Sequence, residues 1–294
     1  MKIGLFLPLL GEASTLRQAL IESARAADTM GFHALWFPEH VVLVDDPASR
    51  YPYSEDGRFP INAAEGGVIE PFAAIALAAG VTERIRLGTG ICLVPQRSPV
   101  YTAKQVADCD VLSGGRIDFG VGIGWLREEF EALGVDFEDR GYRCREYLDA
   151  MQSLWTDASS SFEGRLYRLP PVRMLPKPLQ KPFPPIIFGG ETDAALRRAA
   201  DLGQGWFGFN HTPDEVAARI HRLQGMLARR GRARSDLQIV VSPYLKPVAG
   251  PETLAAYAAA GVDQLVLVVA AVGATDSVRA IEALVPLLDA ARNC

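Results

Sequence analysis

Among the four histidines of this 294-residue chain, one stands directly beside a carboxylate. In "GFHALWFPEH" an apolar run ends in Pro38 and is followed at once by Glu39 and His40. An imidazole can give or take a proton near neutral pH, and a neighbouring carboxylate can orient it. A lone histidine is more commonly a hydrogen-bonded packing residue. Position at the end of a strand is what makes His40 and Glu39 the candidate acid–base pair. His33, His221 and the four cysteines (Cys92, Cys109, Cys144, Cys294) read as structural. With no C-x-x-C and no H-E-x-x-H, neither a metal site nor a disulfide framework is expected.

Two glycine-rich stretches supply the other chemical signal. "RIDFGVGIGWLREEFEALGV" places Gly120, Gly122 and Gly124 before Trp125 and an acidic helical segment. Glycine weakens a strand, so its repetition there points to a close backbone approach by something else. "FGGETDAALRRAA" leads through Gly189, Gly190 and Glu191 into a helix beginning near Thr192. The N–H groups of a helix start form an anion site, and glycines let a phosphate come near. A plain capped turn is the simpler reading on spacing alone. Glu128, Glu129 and Glu131 read as favourable charges in a helix's first turn.

Several chemistries are excluded. The chain contains no G-x-x-x-x-G-K-[ST] and no G-x-S-x-G, and a Rossmann fingerprint begun at Gly122 would put its last glycine on Arg127. A formal charge of −5 argues against a nucleic-acid surface. No apolar stretch has the length of a membrane helix. The opening "MKIGLFLPLLGE" lacks a signal-cleavage pattern, so a cytoplasmic address and a small-molecule substrate are expected. What remains suits a planar cofactor lying over backbone more than covalent side-chain catalysis.

The elements that must position these residues alternate regularly. Apolar runs at 2–8, 34–38, 85–94, 117–122, 185–189, 205–209, 237–242 and 264–269 predict strands. Helical segments are predicted at 14–30, 70–81, 99–112, 128–155, 192–202, 212–230, 251–260 and 276–291. Thr212-Pro213 reads as an N-cap with proline at the first helical position, and Gly31, Gly203 and Gly261 sit where helix C-terminal glycines belong. Eight such units predict an α/β fold, a (β/α)8 TIM barrel formed as one domain over 1–294, with a doubly wound sheet as the alternative. The proline-rich segment 156–184 breaks the rhythm. It is expected to be an ordered insertion between strands four and five that wraps the barrel rim, or else a plain surface excursion.

The segments "RIRLGTGICLVPQRSPVYTAKQVADCDVLSGGRIDFGVGIGWLREEFEALGVDFEDRG" and "PPIIFGGETDAALRRAADLGQGWF", together with "GFHALWFPEH", resemble the bacterial luciferase-like flavin and deazaflavin oxidoreductases. The likeness runs from Lys2 to about Phe209 and is closest to the branch using coenzyme F-420, a deazaflavin. It implies a ring lying across the C-terminal mouth of a barrel, backed by a non-prolyl cis bond at Gly90–Ile91. The same likeness assigns Gly122, Gly124 and Trp125 to the ring border. Gly189, Gly190, Glu191 and Thr192 would hold the cofactor phosphate, and His40 with Glu39 would act at the reacting atom. The implied activity is hydride transfer between the deazaflavin and a small organic substrate. An FMN-dependent monooxygenase, which would need a flavin reductase as partner, is the alternative, and a non-catalytic flavin-binding protein is a third. Homodimers are common in the family. The chain departs from the sugar-phosphate dehydrogenases of that branch at Trp125, where they carry glutamate, and at Val44, where they carry tryptophan. At Ile123 it lacks the arginine that luciferases aim at the phosphate. Substrate-facing residues would sit in the rim loops, 41–67 and 156–184. Arg165, Arg168, Arg173, Lys177 and Lys181 could line a groove for an anionic cofactor tail.

Overall fold

The computed structural model describes residues 1–9, 11–60 and 68–292. All eight predicted strands form, as β1 (Lys2–Phe6), β2 (Ala34–Phe37), β3 (Arg86–Thr89), β5 (Ile117–Gly122), β8 (Ile186–Gly189), β9 (Gly205–Phe209), β10 (Gln238–Ser242) and β11 (Gln264–Val268). The third splits, because a short β4 (Cys92–Leu93) resumes after Gly90 and Ile91. Every pairing among these strands is parallel, and β1 pairs with both β2 and β11, closing the barrel. Around it lie α1 (Ala13–Met30), α2 (Pro71–Ala79), α3 (Pro99–Leu112), α4 (Arg127–Ala132), α5 (Arg140–Thr156), α6 (Asp193–Leu202), α7 (Pro213–Ala228), α8 (Pro251–Ala259), α9 (Ala274–Ala283) and α10 (Val285–Ala291). The TIM-barrel reading holds.

Period-two alternation sorts each strand between two cores. Outward residues such as Ile3, Leu5, Leu35, Leu87, Phe119, Val121 and Ile239 pack under the helices. Inward residues Phe6, Trp36, Ile187, Phe207, Val240 and Val266 fill the barrel itself. At its floor Arg86 forms a two-pronged ion pair with Asp118 and donates to Gln180 Oε1.

Local signals account for several helix boundaries. Thr212 caps α7 in a capping box with Glu215. Gly31 and Gly261 take positive φ at helix ends as expected, whereas Gly203 is extended. The predicted helix 128–155 is two, α4 and α5.

The proline-rich segment is ordered and runs along α5, between β5 and β8. Residues 160–172 form an antiparallel hairpin, β6 (Ser160–Glu163) and β7 (Arg168–Val172), packed along α5. Glu146 of α5 accepts the backbone N–H groups of Arg165, Leu166 and Tyr167, which fixes the turn. Beyond it, Lys177 donates to the carbonyls of Leu154 and Asp157 at the α5 C-terminus, and Gln180 reaches Asp110 and the Ile117 carbonyl at the start of β5. Those are N-terminal strand ends, opposite to Thr192. Lys177 and Lys181 therefore do not line a groove beside α6, and Arg165 is engaged by Asp139.

Side-chain-free positions on β5 and β8 carry the strongest packing constraint. A Cβ on Gly120 would overlap the Thr89 carbonyl oxygen, and one on Gly122 would overlap Ile91 Cδ1. A Cβ on Gly189 would come within 2.5 Å of the same Ile91 atom. Gly225, on the exposed side of α7, has no atom within 4 Å of a built Cβ. Gly120→Ala should therefore lower unfolding free energy by about 3 kcal/mol through overpacking. Gly225→Ala should raise it by about 0.5–1 kcal/mol by removing helix-interior glycine entropy. Urea denaturation of the two variants checks both signs.

A pH dependence follows from the floor. Burial, with help from the Lys2 ammonium, pushes the His33 imidazole down to about 4. Between that value and the ordinary 6.5 the unfolded chain binds the proton that the folded one refuses. Stability supplied by neutral His33 is present above pH 6.5 and drains away as the pH falls toward 4. Replacing it in His33→Gln should flatten the acid limb of a stability–pH profile over that window.

Candidate active site

The C-terminal strand ends gather the predicted residues, and the Gly90–Ile91 bond between β3 and β4 is cis, as the resemblance implies. The Gly90 N–H is held by the Phe37 carbonyl at 2.6 Å, and Thr89 Oγ1 donates to the Gly120 carbonyl at 2.6 Å. The strand thereby bulges toward β5. Ile91 is partly exposed and packs on the barrel-interior cluster. The glycines thus accommodate this bulge first; Gly122 and Gly189 both flank the Ile91 side chain, and Gly124, at φ +79°, lies against the Phe130 ring. Protein atoms fill the space that the missing side chains of these glycines leave.

His40 and Glu39 point to different partners. Glu39 is buried, accepts the Leu93 N–H and pairs with Arg97, which also binds Glu70 at 2.8 Å. Full burial raises the Glu39 carboxyl above its ordinary value, against the pull of Arg97 and the Leu93 N–H. Glu39 does not orient His40. That position belongs to Glu129, whose Oε2 lies 3.3 Å from His40 Nδ1, an ion-pair distance at which the buried ring nitrogen forms no aligned hydrogen bond among the described residues. Glu129 is fully buried, accepts the Val41 N–H at 2.7 Å and takes the Gln96 amide at 3.0 Å. Burial works to raise the Glu129 carboxyl, but His40, Gln96 and the Val41 N–H outweigh it and hold the group below its ordinary range.

Residues 126–133 carried the missed signal. Leu126, Glu129, Phe130 and Leu133 fall on one helical face, and Leu126, Glu129 and Phe130 are buried. A carboxylate on an apolar stripe needs a partner. Its neighbour Glu128 accepts the Ala48 and Ser49 N–H groups at 2.7 and 3.0 Å. The acidic first turn therefore pins the loop after β2 across the mouth, beyond any effect on the helix dipole.

That loop brings aromatic side chains with it. Phe59 meets the His40 ring edge-on with centroids 4.8 Å apart, and Tyr51 stands 5.2 Å from Trp125. Tyr53 packs on Phe209, and Asn210 donates to the Tyr53 carbonyl at 2.9 Å. A cavity of about 490 Å³ opens beside them, lined by His40, Val44, Phe59, Trp125 and Leu126 among others. Trp125 thus shares a wall with His40. Residues 61–67 of this loop, and Cys294, lie outside the described residues.

At the far side of the mouth, β8 runs into α6. Thr192 caps the helix by accepting the Ala195 N–H at 3.2 Å, and Gly190 takes φ +107°. The Glu191 side chain turns away, engaged by the Phe209 N–H, by His211 and by Arg219. Its backbone is left as the part of Glu191 at the helix start. Asn210 and Tyr244, which follow β9 and β10 at the same end, are non-glycine residues at positive φ, a placement common where a site constrains the backbone. Ser242, inward-facing and buried at the end of β10, has a hydroxyl with no hydrogen-bond partner among the described residues.

These features fit a flat cofactor with a phosphate tail. Ile91 offers an apolar platform, the α6 start offers backbone N–H groups without a cation, and Ser242 offers an unused hydroxyl. Among the described residues no group of three or more His, Cys, Asp or Glu could hold a metal ion, and no helix is long and apolar enough to cross a membrane.

Comparison with known proteins shows the family and agrees with the fold. The model of the luciferase-like monooxygenase family matches residues 1–284. The uncharacterized protein Rv0953c of Mycobacterium tuberculosis is 32% identical over 245 residues, covering 83% of this chain and 84% of that one. Among solved structures, monooxygenase RslO1 from Streptomyces bottropensis superposes with a TM-score of 0.80 at 23% identity, covering 98% of this chain and 99% of that one. An F420-dependent secondary alcohol dehydrogenase, in complex with an F420-acetone adduct, gives 0.78 at 17% identity and 99% of both chains. The chain belongs to the luciferase-like monooxygenase family, whose members work as flavin- or F420-dependent oxidoreductases and monooxygenases.

Proposed function

We propose that this protein transfers a hydride between a deazaflavin of the coenzyme F-420 type and a small organic substrate, with His40 carrying the accompanying proton. The observation behind this reading is the placement of His40. Its Nδ1 lies 3.3 Å from buried Glu129, and its ring borders the 490 Å³ cavity beside Trp125 at the C-terminal mouth. When bound, the cofactor supplies the hydride acceptor or donor, and the protein supplies binding, orientation and the proton. Ile91 would back the ring. Gly189, Gly190, Glu191 and Thr192 would hold the phosphate through backbone N–H groups at the start of α6. Glu39 would serve indirectly, by fixing Leu93 and Arg97 behind the Ile91 bulge. Phe59 and Trp125 pack edge-on against the imidazole and leave little of it exposed.

Support for the deazaflavin comes from the likeness to the F-420 branch and from the end-to-end match with the F420-dependent alcohol dehydrogenase. A second reading, FMN-dependent monooxygenation with reduced flavin and dioxygen, is favoured by the equally complete match to RslO1. Carbon in place of flavin N5 makes a deazaflavin a two-electron carrier that reacts poorly with dioxygen, so the two readings part under anaerobic conditions.

Anaerobic fluorescence titration should give tighter binding of the deazaflavin than of FMN, and turnover should survive removal of oxygen. Tighter FMN binding with strict oxygen dependence would establish the monooxygenase instead. His40→Asn should lower turnover by about 10²–10⁴-fold, the usual worth of a general acid–base group. Cofactor affinity should stay close to that of the unaltered protein; full turnover in this variant would return His40 to a packing role.

A further inference from the structure

We propose that Glu129 is a positioning residue that sets the tautomer of His40, placing the ring proton on Nδ1 and leaving Nε2 free for the proton of the substrate. This deepens the hydride-transfer reading above and rests on it. Three contacts carry the argument. Glu129 Oε1 accepts the Val41 N–H, one residue beyond His40, so carboxylate and imidazole are locked to the same backbone. Its Oε2 takes the Gln96 amide at 3.0 Å and lies 3.3 Å from His40 Nδ1. An ionised carboxylate can only accept, so the ring nitrogen facing it must carry hydrogen. In oxidation of a hydroxylated substrate, Nε2 would take the O–H proton, and the bound cofactor would supply the acceptor for the C–H hydride. The imidazolium so formed has its positive charge beside a buried carboxylate. Reduction reverses both transfers.

Among the described residues Nδ1 is buried without an aligned hydrogen bond, and Glu129, at 3.3 Å, is the charged group within ion-pair distance of it. The Phe59 and Trp125 rings meet the imidazole by their edges. Asp45, Asp46 and Arg58, the charged groups of the loop that line the cavity, form no ion pair with His40 among the described residues. Gln96 Oε1 is buried without a partner, so its amide can turn and accept as well as donate.

That spare acceptor makes Glu129→Gln informative. The introduced amide can still accept the Val41 N–H through its oxygen. Its NH₂ then donates to His40 Nδ1 and to a turned Gln96, and the ring proton moves to Nε2. In serine proteases the equivalent carboxylate-to-amide change leaves geometry intact and costs about 10⁴-fold through the wrong tautomer.

The test is a long-range ¹H–¹⁵N correlation spectrum of the full chain labelled at histidine nitrogen, recorded at alkaline pH. His40 is assigned by the signal lost in His40→Asn. The unaltered protein should show a protonated Nδ1 and an unprotonated Nε2; Glu129→Gln should show the reverse, with turnover down by about 10²–10⁴-fold. An Nε2-protonated ring in the unaltered protein overturns the proposal, and that spectrum needs no variant to fold beyond the one used for assignment. An unchanged tautomer in a folded Glu129→Gln overturns it too. Survival of turnover without oxygen separately decides the hydride-transfer reading, so the two failures are distinguishable.

Discussion

The mouth of this barrel depends on the absence of side chains at Gly120, Gly122 and Gly189. A methyl at any of them would strike the Thr89 carbonyl or the Ile91 side chain. Because the space is open, β3 bulges inward and Ile91 reaches the barrel axis. The chain resumes as β4 in register with Val121 and Gly122. The turn after β4 then places Gln96 against Glu129 and Arg97 against Glu39 and Glu70. Packing at three glycines thus propagates through one bulge to both buried carboxylates.

The two carboxylates divide the work. Glu39, next to His40 in sequence, faces back into the scaffold and ties β2 to β4 through the Leu93 N–H and Arg97. Glu129, 90 positions beyond Glu39, faces forward and ties α4 to His40 and the rim loop. Leaving either charge unpaired in the interior would be costly, since a buried ion stripped of its partner loses about 3–5 kcal/mol. Each element is thereby held where the chemistry needs it, and the loop's aromatic rings close over the result.

Much of the fold was legible in the sequence because strand burial on both faces leaves near-continuous apolar runs, and caps such as Thr212 write helix starts locally. The cis bond was legible only through resemblance, because no local residue preference announces it. His40 and Trp125 do share one cavity wall, as their strand-end positions suggest. Adjacency in the chain misled about Glu39, since successive residues at a strand end point in opposite directions. Glu129 looked like an ordinary first-turn charge, although its place among Leu126, Phe130 and Leu133 marks it as inward-facing. The basic residues of 156–184 pointed to a rim groove, but the segment is drawn along α5 by Glu146 and under the barrel by Gln180. Those contacts are long-range, and composition carries no trace of them.

A crystal structure of the protein with oxidised deazaflavin bound tests the account most directly. The account predicts the ring lying on the Ile91 platform, the phosphate at the first turn of α6 beside Gly190 and Thr192, and His40 Nε2 facing the reacting edge. A ring seated away from Ile91, or a phosphate held anywhere but the α6 start, would contradict it.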